Sequence, residues 1–340
     1  MARVAVLNAG GWGTALACIL AGRGHSVRLW ARRPTLAHEL RTTRQNPAYL
    51  PGIRLPAAVE PTADLADALG GAELVLLVPP SRALEDLARR VAPVVAADAL
   101  LLIGTKGLVP ETWARPSEAV QAALGPSFGG QVGVLSGPNH AEEVARGLPT
   151  AAVVACADAT AARALQEMVA TPAFRLYTSA DVVGVELCGA AKNVIALAAG
   201  IGDGLGAGDN GKAALLTRSL AELGRLVEAR GGQPATVSGL AGVGDLIATC
   251  TSRHSRNRWA GEELGRGRPL ADVLGSTPMV VEGVPAARGV VTIARQAGVE
   301  LPICEAVYRV LYEGESVADA AAGLLGRALT AETPHSDQQG

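Results

Sequence analysis

The chain has 340 residues, 49% of them apolar and 18% charged, with a formal net charge of −2. This composition excludes a disordered chain and allows two domains, each burying its own core. The small net charge gives no electrostatic reason for nucleic acid or an anionic membrane as the main partner, so any phosphate site has to be local.

Arg3 precedes a short apolar run that turn residues from Asn8 to Gly13 interrupt, which argues against a signal peptide. Val4 to Leu7 reads as a strand, Gly11 to Ala21 as a helix and Val27 to Ala31 as a second strand. Leu74 to Val78 is a near-continuous apolar strand, and Ser81 is placed to N-cap a helix running to about Val91. Leu100 to Ile103, Val132 to Leu135, Ala151 to Ala155 and Phe174 to Thr178 read as further strands. Continuous apolar strands separated by helices predict a parallel sheet covered on both faces.

From about Asp181 strand-like runs nearly vanish and helical periods dominate to about Leu329. Gly-rich stretches at Gly200 to Gly211 and Gly239 to Gly244 punctuate them. The expected organisation is an α/β Rossmann domain over 1–179, an all-helical domain over 180–330 and a disordered tail over 331–340. The apolar stretch Leu187 to Ile201 is short for a membrane span and carries Lys192 and Asn193, so no stable membrane insertion is expected. The five cysteines, Cys18, Cys156, Cys188, Cys250 and Cys304, are scattered and form no CxxC. That predicts neither disulfide framework nor zinc site, and fits a soluble cytoplasmic protein. The five histidines show no metal-ligand spacing, so redox chemistry would come from a bound organic cofactor.

The segment from Val4 to Ala15 places Gly10, Gly11 and Gly13 between the first strand and the first helix. Gly10 lets backbone approach a pyrophosphate, the free N–H groups of the helix start meet its charge, and Gly13 lets the helix pack on the strand. Asn8 stands where the first glycine of the dinucleotide fingerprint belongs, and asparagine tolerates left-handed backbone. The second strand ends in Arg32 and Arg33, where an NAD-specific protein usually places Asp or Glu. Two arginines there suit a 2′-phosphate and favour NADPH over NADH; a solvated charge pair is the competing reading.

The chain from about Val4 to Gly326 resembles the NAD(P)-dependent glycerol-3-phosphate dehydrogenases, particularly the bacterial type. The resemblance rests on ordered motifs: Gly10 to Ala17, Thr105-Lys106-Gly107-Leu108, Leu135-Ser136-Gly137-Pro138, Ala191 to Ala196, Gly244 to Cys250, Ser255-Arg256-Asn257-Arg258 and Val281-Glu282-Gly283. It implies a 6-phosphogluconate-dehydrogenase-like pairing of Rossmann and helical domains, with the active site between them. It also implies interconversion of dihydroxyacetone phosphate and sn-glycerol 3-phosphate, a supply of the latter for phospholipid synthesis, and a homodimer. Lys192 matches the family's catalytic acid/base. Lys106, Asn193, Asp245, Ser255, Arg256 and Asn257 match its substrate positions, with Gly137 and Asn139 on a loop that touches substrate. Gly11, Trp12, Arg32, Arg33, Ala141, Arg256, Val280 and Glu282 match its cofactor contacts, to which Gly10, Gly13 and Lys106 are added. The chain departs from the family pattern at Asn8, at Gly11, where serine or alanine is common, and at Asn139-His140, where serine followed by an aromatic is frequent.

The chemistry explains these residue types. Reducing a ketone needs hydride on carbon and a proton on oxygen, so a positioned acid is required. Lys192 lies in an apolar helical run where desolvation can lower a lysine pKa; Lys106 can add a second positive charge, and Asp245 would oppose the depression. Asn193 faces another side of the helix and is expected to orient cofactor or substrate. Asp245 and Thr249, four apart, share one helix face. Arg256 can grip a phosphate bidentately while Asn257 and Ser255 complete its hydrogen bonds. Read without the motifs, Lys192 is equally a snorkelling surface lysine, and Arg253 to Arg258 a solvated basic face. Two other functions compete: another two-domain hydroxyacid or 6-phosphogluconate-type dehydrogenase, and a non-catalytic nucleotide-binding module.

Overall fold

A computed structural model of the chain describes residues 1–126, 132–277, 280–329 and 332. The tail expected to be disordered over 331–340 lies outside the described residues except for Glu332.

The first part alternates strands and helices: β1 Arg3–Leu7, α1 Gly11–Gly22, β2 Ser26–Trp30, α2 Pro34–Thr43, β3 Gln45–Asn46, β4 Leu50–Arg54, β5 Val59–Thr62 and α3 Leu65–Leu69. It continues through β6 Leu74–Leu77, α4 Leu84–Val91, β7 Leu100–Ile103, α5 Pro116–Leu124, β8 Val132–Ser136, α6 Ala141–Ala145, β9 Thr150–Ala155, α7 Ala159–Val169 and β10 Phe174–Ser179. The described residues form an eight-stranded sheet in the order β10-β9-β8-β7-β6-β1-β2-β5, with β3 and β4 as a separate hairpin. Strands β1, β6, β7 and β8 are buried along nearly their whole length because helices cover both faces.

The sheet is not wholly parallel: β9 runs antiparallel to β8, while the other pairs are parallel. The connection from β8 to β9 carries only the short helix α6, after which the chain returns alongside β8 in the opposite direction. Strand β5 gave no sequence signal, since Val59-Glu60-Pro61-Thr62 carries a proline; as an edge strand it pairs only with β2. Nor does Ser81 cap a helix. Ser81–Ala83 is a 3₁₀ turn, and the serine hydroxyl donates to Glu282 Oε2 at 3.2 Å.

The second part is helical: α8 Val182–Gly204, α9 Gly208–Ala229, α10 Asp245–Thr251, α11 Arg256–Gly265, α12 Leu270–Gly275, α13 Gly283–Gln296, α14 Pro302–Tyr312 and α15 Val317–Leu325. Helix α8 has 23 residues, longer than the apolar run suggested, and is long and apolar enough to cross a membrane by length and composition. Burial settles its role: 89% of its most apolar window lies inside the protein, against α9, α10, α11, α13 and α14. Its crossing with α11 is very close. A Cβ on Gly261 would come within 2.1 Å of the Leu197 carbonyl oxygen, and one on Gly200 within 2.0 Å of Arg258 O. Asp181 caps α8 by accepting from Gly184 N at 2.8 Å. Glu186, one turn on, accepts from Ser117 N at 2.6 Å and Arg115 Nη1 at 2.8 Å, which ties α8 to α5 of the α/β part.

Candidate active site

The sheet order places β2 on one side of β1 and β6 on the other, which makes a switch point where chain crossings diverge and a crevice opens at the strand carboxyl ends. Asn8 closes that end. Its backbone has φ 108°, its N–H donates to Trp30 O at 3.1 Å, and its Nδ2 donates to Val78 O at 3.1 Å. Asparagine thus supplies the positive φ that the motif's first glycine would supply, and adds a bond across the crevice. Gly13 is obligatory for space, since a Cβ there would lie 2.0 Å from Asn8 O. Gly10, in extended conformation, precedes the first turn of α1, which contains no acidic residue to compete for an anion.

The remaining candidate residues leave from the carboxyl ends of the neighbouring strands and meet α8 and α10. Lys106 follows β7, and Gly137 and Asn139 follow β8. Lys106 Nζ donates to Gly137 O at 2.9 Å, Asn139 Oδ1 at 2.7 Å and Asp245 Oδ2 at 2.8 Å. All three of its N–H bonds are thereby committed. Lys192, buried in mid-α8, donates to Asp245 Oδ1 and to Thr249 Oγ1, the latter at 3.0 Å. The snorkelling alternative is thus excluded by burial, and one N–H of Lys192 has no partner among the described residues. Thr249 Oγ1 in turn donates to the Asp245 carbonyl at 2.6 Å, one helical turn back. A π-helical turn, Leu240–Gly244, leads into α10 and delivers Asp245 as its first residue, where the helix dipole also favours an anion.

Two ammonium groups share one carboxylate, so this buried cluster carries one uncompensated positive charge. Burial pulls the Lys106 ammonium down to about 8, with Asp245 opposing the shift and Lys192 adding to it. Burial disfavours charge on Asp245 too, but Lys106 and Lys192 outweigh it and hold the carboxyl below its usual range. Cys188 and Cys250 sit on the same helices, and burial pushes both thiols up to about 12, which rules them out as thiolate nucleophiles.

Asn193 does not touch Lys192 through its side chain. Its Oδ1 accepts from Asn257 Nδ2 at 2.8 Å, and Asn257 Oδ1 accepts from Gly283 N at 2.9 Å. This chain joins α8, α11 and the start of α13, so Asn257 supports Asn193 and the segment carrying Glu282. Ser255 caps α11 by accepting from Arg258 N at 3.2 Å. Arg256, exposed at the first position of that helix, donates to Val280 O at 3.0 Å. Ser81, missed as a site residue, bonds Glu282 across the crevice; burial raises the Glu282 carboxyl, with Ser81 and Arg256 opposing. Of the two arginines after β2, Arg32 is exposed and Arg33 donates to Tyr49 OH at 3.2 Å.

The residues fit a dinucleotide. A Cβ on Gly11 would come within 2.7 Å of Tyr49 O and 3.8 Å of Ala141 Cβ, so glycine keeps the floor of the turn open. Trp12 Nε1 and Asn139 Nδ2 are buried donors without partners among the described residues, and native structures rarely leave such donors unused. Ser136 Oγ, beside Lys106, is a third unpaired polar atom.

Residues 3–162 match the model of the NAD-dependent glycerol-3-phosphate dehydrogenase N-terminus, and residues 181–322 that of its C-terminus. A glycerol-3-phosphate dehydrogenase (NAD(P)+) of Moorella thermoacetica is 50% identical over 335 residues, 98% of each chain. The crystal structure of glycerol-3-phosphate dehydrogenase from Coxiella burnetii superposes with a TM-score of 0.91 at 39% identity, covering 96% of this chain and 99% of that one. A ketopantoate reductase from Ralstonia eutropha, at 18% identity and TM-score 0.59, shares the fold alone. Both halves of the chain are matched in order and along nearly their full length, so the protein belongs to the NAD-dependent glycerol-3-phosphate dehydrogenase family.

Proposed function

We propose that the protein interconverts dihydroxyacetone phosphate and sn-glycerol 3-phosphate, with Lys192 as the acid/base. One observation carries the assignment. Lys106 has spent its three donors on Gly137, Asn139 and Asp245, whereas Lys192 is anchored by Asp245 and Thr249 and keeps one N–H for a ligand. That N–H delivers the proton to the carbonyl oxygen in reduction, and the neutral amine takes it back in oxidation. Asp245 fixes the ammonium in place, and the extra positive charge of the cluster stabilises the oxygen as it becomes negative. Arg256 and the α11 start bind the phosphate of the substrate, with Ser255 and Asn257 shaping that turn; Gly137 and Asn139 border the carbon chain. A bound nicotinamide cofactor supplies or accepts the hydride. Gly10, Gly11, Trp12, Gly13 and Ala141 would hold its pyrophosphate side, and Lys106, Val280, Arg256 and Glu282 would border the rest.

The finer reading is a preference for NADPH, because Arg32 stands exposed where a 2′-phosphate would be met. Division of the chain at about residue 180, a homodimer and a cytoplasmic place complete the proposal; five cysteines that form no disulfide suit a reducing compartment. The product is the backbone of glycerophospholipids, which assigns the enzyme to their supply. The test is spectrophotometric. Oxidation of NADPH and of NADH is followed with and without dihydroxyacetone phosphate, and oxidation dependent on that substrate is expected with both, at lower KM for NADPH. Activity on 6-phosphogluconate but none on dihydroxyacetone phosphate overturns the reading.

A further inference from the structure

Two histidines adjoin candidate-site residues in the chain: His140 follows Asn139, and His254 precedes Ser255. Among the described residues no three His, Cys, Asp or Glu side chains gather as a metal set, so they are not metal ligands of that kind. His140 lies on the loop between β8 and α6, and His254 on the turn between α10 and α11. Their ring centroids are 6.4 Å apart with planes inclined by 53°, so the α/β part and the helical part touch here through two imidazoles. His140 Nε2 lies 3.4 Å from the carbonyl oxygen of Ala248, a long contact that commits it only weakly. Each histidine adjoins a residue of the site. Asn139 holds Lys106, and Ser255 caps the helix that opens with Arg256 and Asn257.

We propose that His140 and His254 are specificity-determining residues that grip the phosphate of the substrate from the two lips of the cleft. The inference rests on the reaction proposed above. A phosphate dianion presents oxygens in several directions and needs donors from more than one side. The lysines cannot provide them all: Lys106 has no donor left, and Lys192 serves the carbonyl end. Arg256 already gives one N–H to Val280. Imidazoles on opposite lips complete the set, and a three-carbon ketone without the phosphate would gain nothing from them.

The experiment measures KM for dihydroxyacetone phosphate, Ki for inorganic phosphate as a competitor, KM for NADPH and kcat. The variants are His140→Ala, His254→Ala and the corresponding Gln substitutions. Each Ala variant is expected to raise both the substrate KM and the phosphate Ki about tenfold, the worth of one charge-assisted hydrogen bond, while kcat falls less than about threefold. KM for NADPH stays in place. Gln, which keeps a donor, recovers most of the loss, and thermal melts of the Gln variants separate this from unfolding. A substrate KM within about twofold of wild type in both Ala variants overturns the proposal, as does a raised KM with an unmoved phosphate Ki. A wild-type enzyme inert towards dihydroxyacetone phosphate overturns the reaction itself, whereas an active wild type with silent Ala variants overturns the clamp alone.

Discussion

Replacing Lys192 by methionine removes the proposed acid while keeping an unbranched stem in the packed interior of α8. Asp245 is not orphaned by this change, because Lys106 Nζ remains 2.8 Å from its Oδ2. The ~3–5 kcal/mol that follows removal of one partner of a buried ion pair is therefore a ceiling for the loss of stability. Catalysis should lose the full worth of a positioned acid, about 10²–10⁴-fold, or about 3–5 kcal/mol at 1.36 kcal/mol per decade. The assay is steady-state and single-turnover oxidation of NADPH in the presence of dihydroxyacetone phosphate. Cofactor affinity, read by fluorescence titration, should stay near wild type, since Lys192 is not among the groups that face the glycine turn. A variant whose kcat lies within about tenfold of wild type refutes the spare-donor argument and moves the acid to another group.

Asp245→Asn leaves two ammonium groups facing each other without a counter-charge; a stability loss of about 3–5 kcal/mol in denaturant titration is expected, together with loss of turnover. Lys106 sheds its proton as pH rises through about 8, so kcat/KM for the phosphate substrate should fall above that pH, and Lys106→Arg should move the limb upward; a flat profile to pH 10 contradicts this. Arg32→Ala should weaken NADPH about tenfold and NADH little, by titration of both, and equal losses remove the 2′-phosphate argument. Burial raises Glu222 to about 7 despite N–H bonds from Ile303 and Cys304. Its folded form holds a proton that the unfolded chain releases, so its stabilising contribution is full below about 4.5 and lost as pH rises through about 7. Thermal melts should show that fall in the wild type and a flatter curve in Glu222→Gln.

The two-part architecture was legible in the sequence because local patterns encode it. Apolar runs of four to six residues become buried strands within a few residues of the expected limits, and the stretch of helical periods becomes packed helices whose individual bounds the periodicity left open. The glycine turn was legible for the same reason, even with Asn8 in place of glycine, since turn chemistry is local. The candidate residues were also readable, as ordered motifs, but not their pairing. Lys192 and Asp245 are 53 residues apart and Lys106 and Asp245 are 139 apart, and no period or spacing relates them. Only the tertiary structure decided that Lys106 is saturated while Lys192 keeps a donor, that Asn193 turns to Asn257, and that Ser81 bonds Glu282 instead of capping a helix. It also decided that α8, long and apolar enough for a membrane, is a core helix, because other helices cover it. Hydrophobic periodicity says which face of an element must be buried; which surface meets that face depends on contacts between segments far apart in the chain.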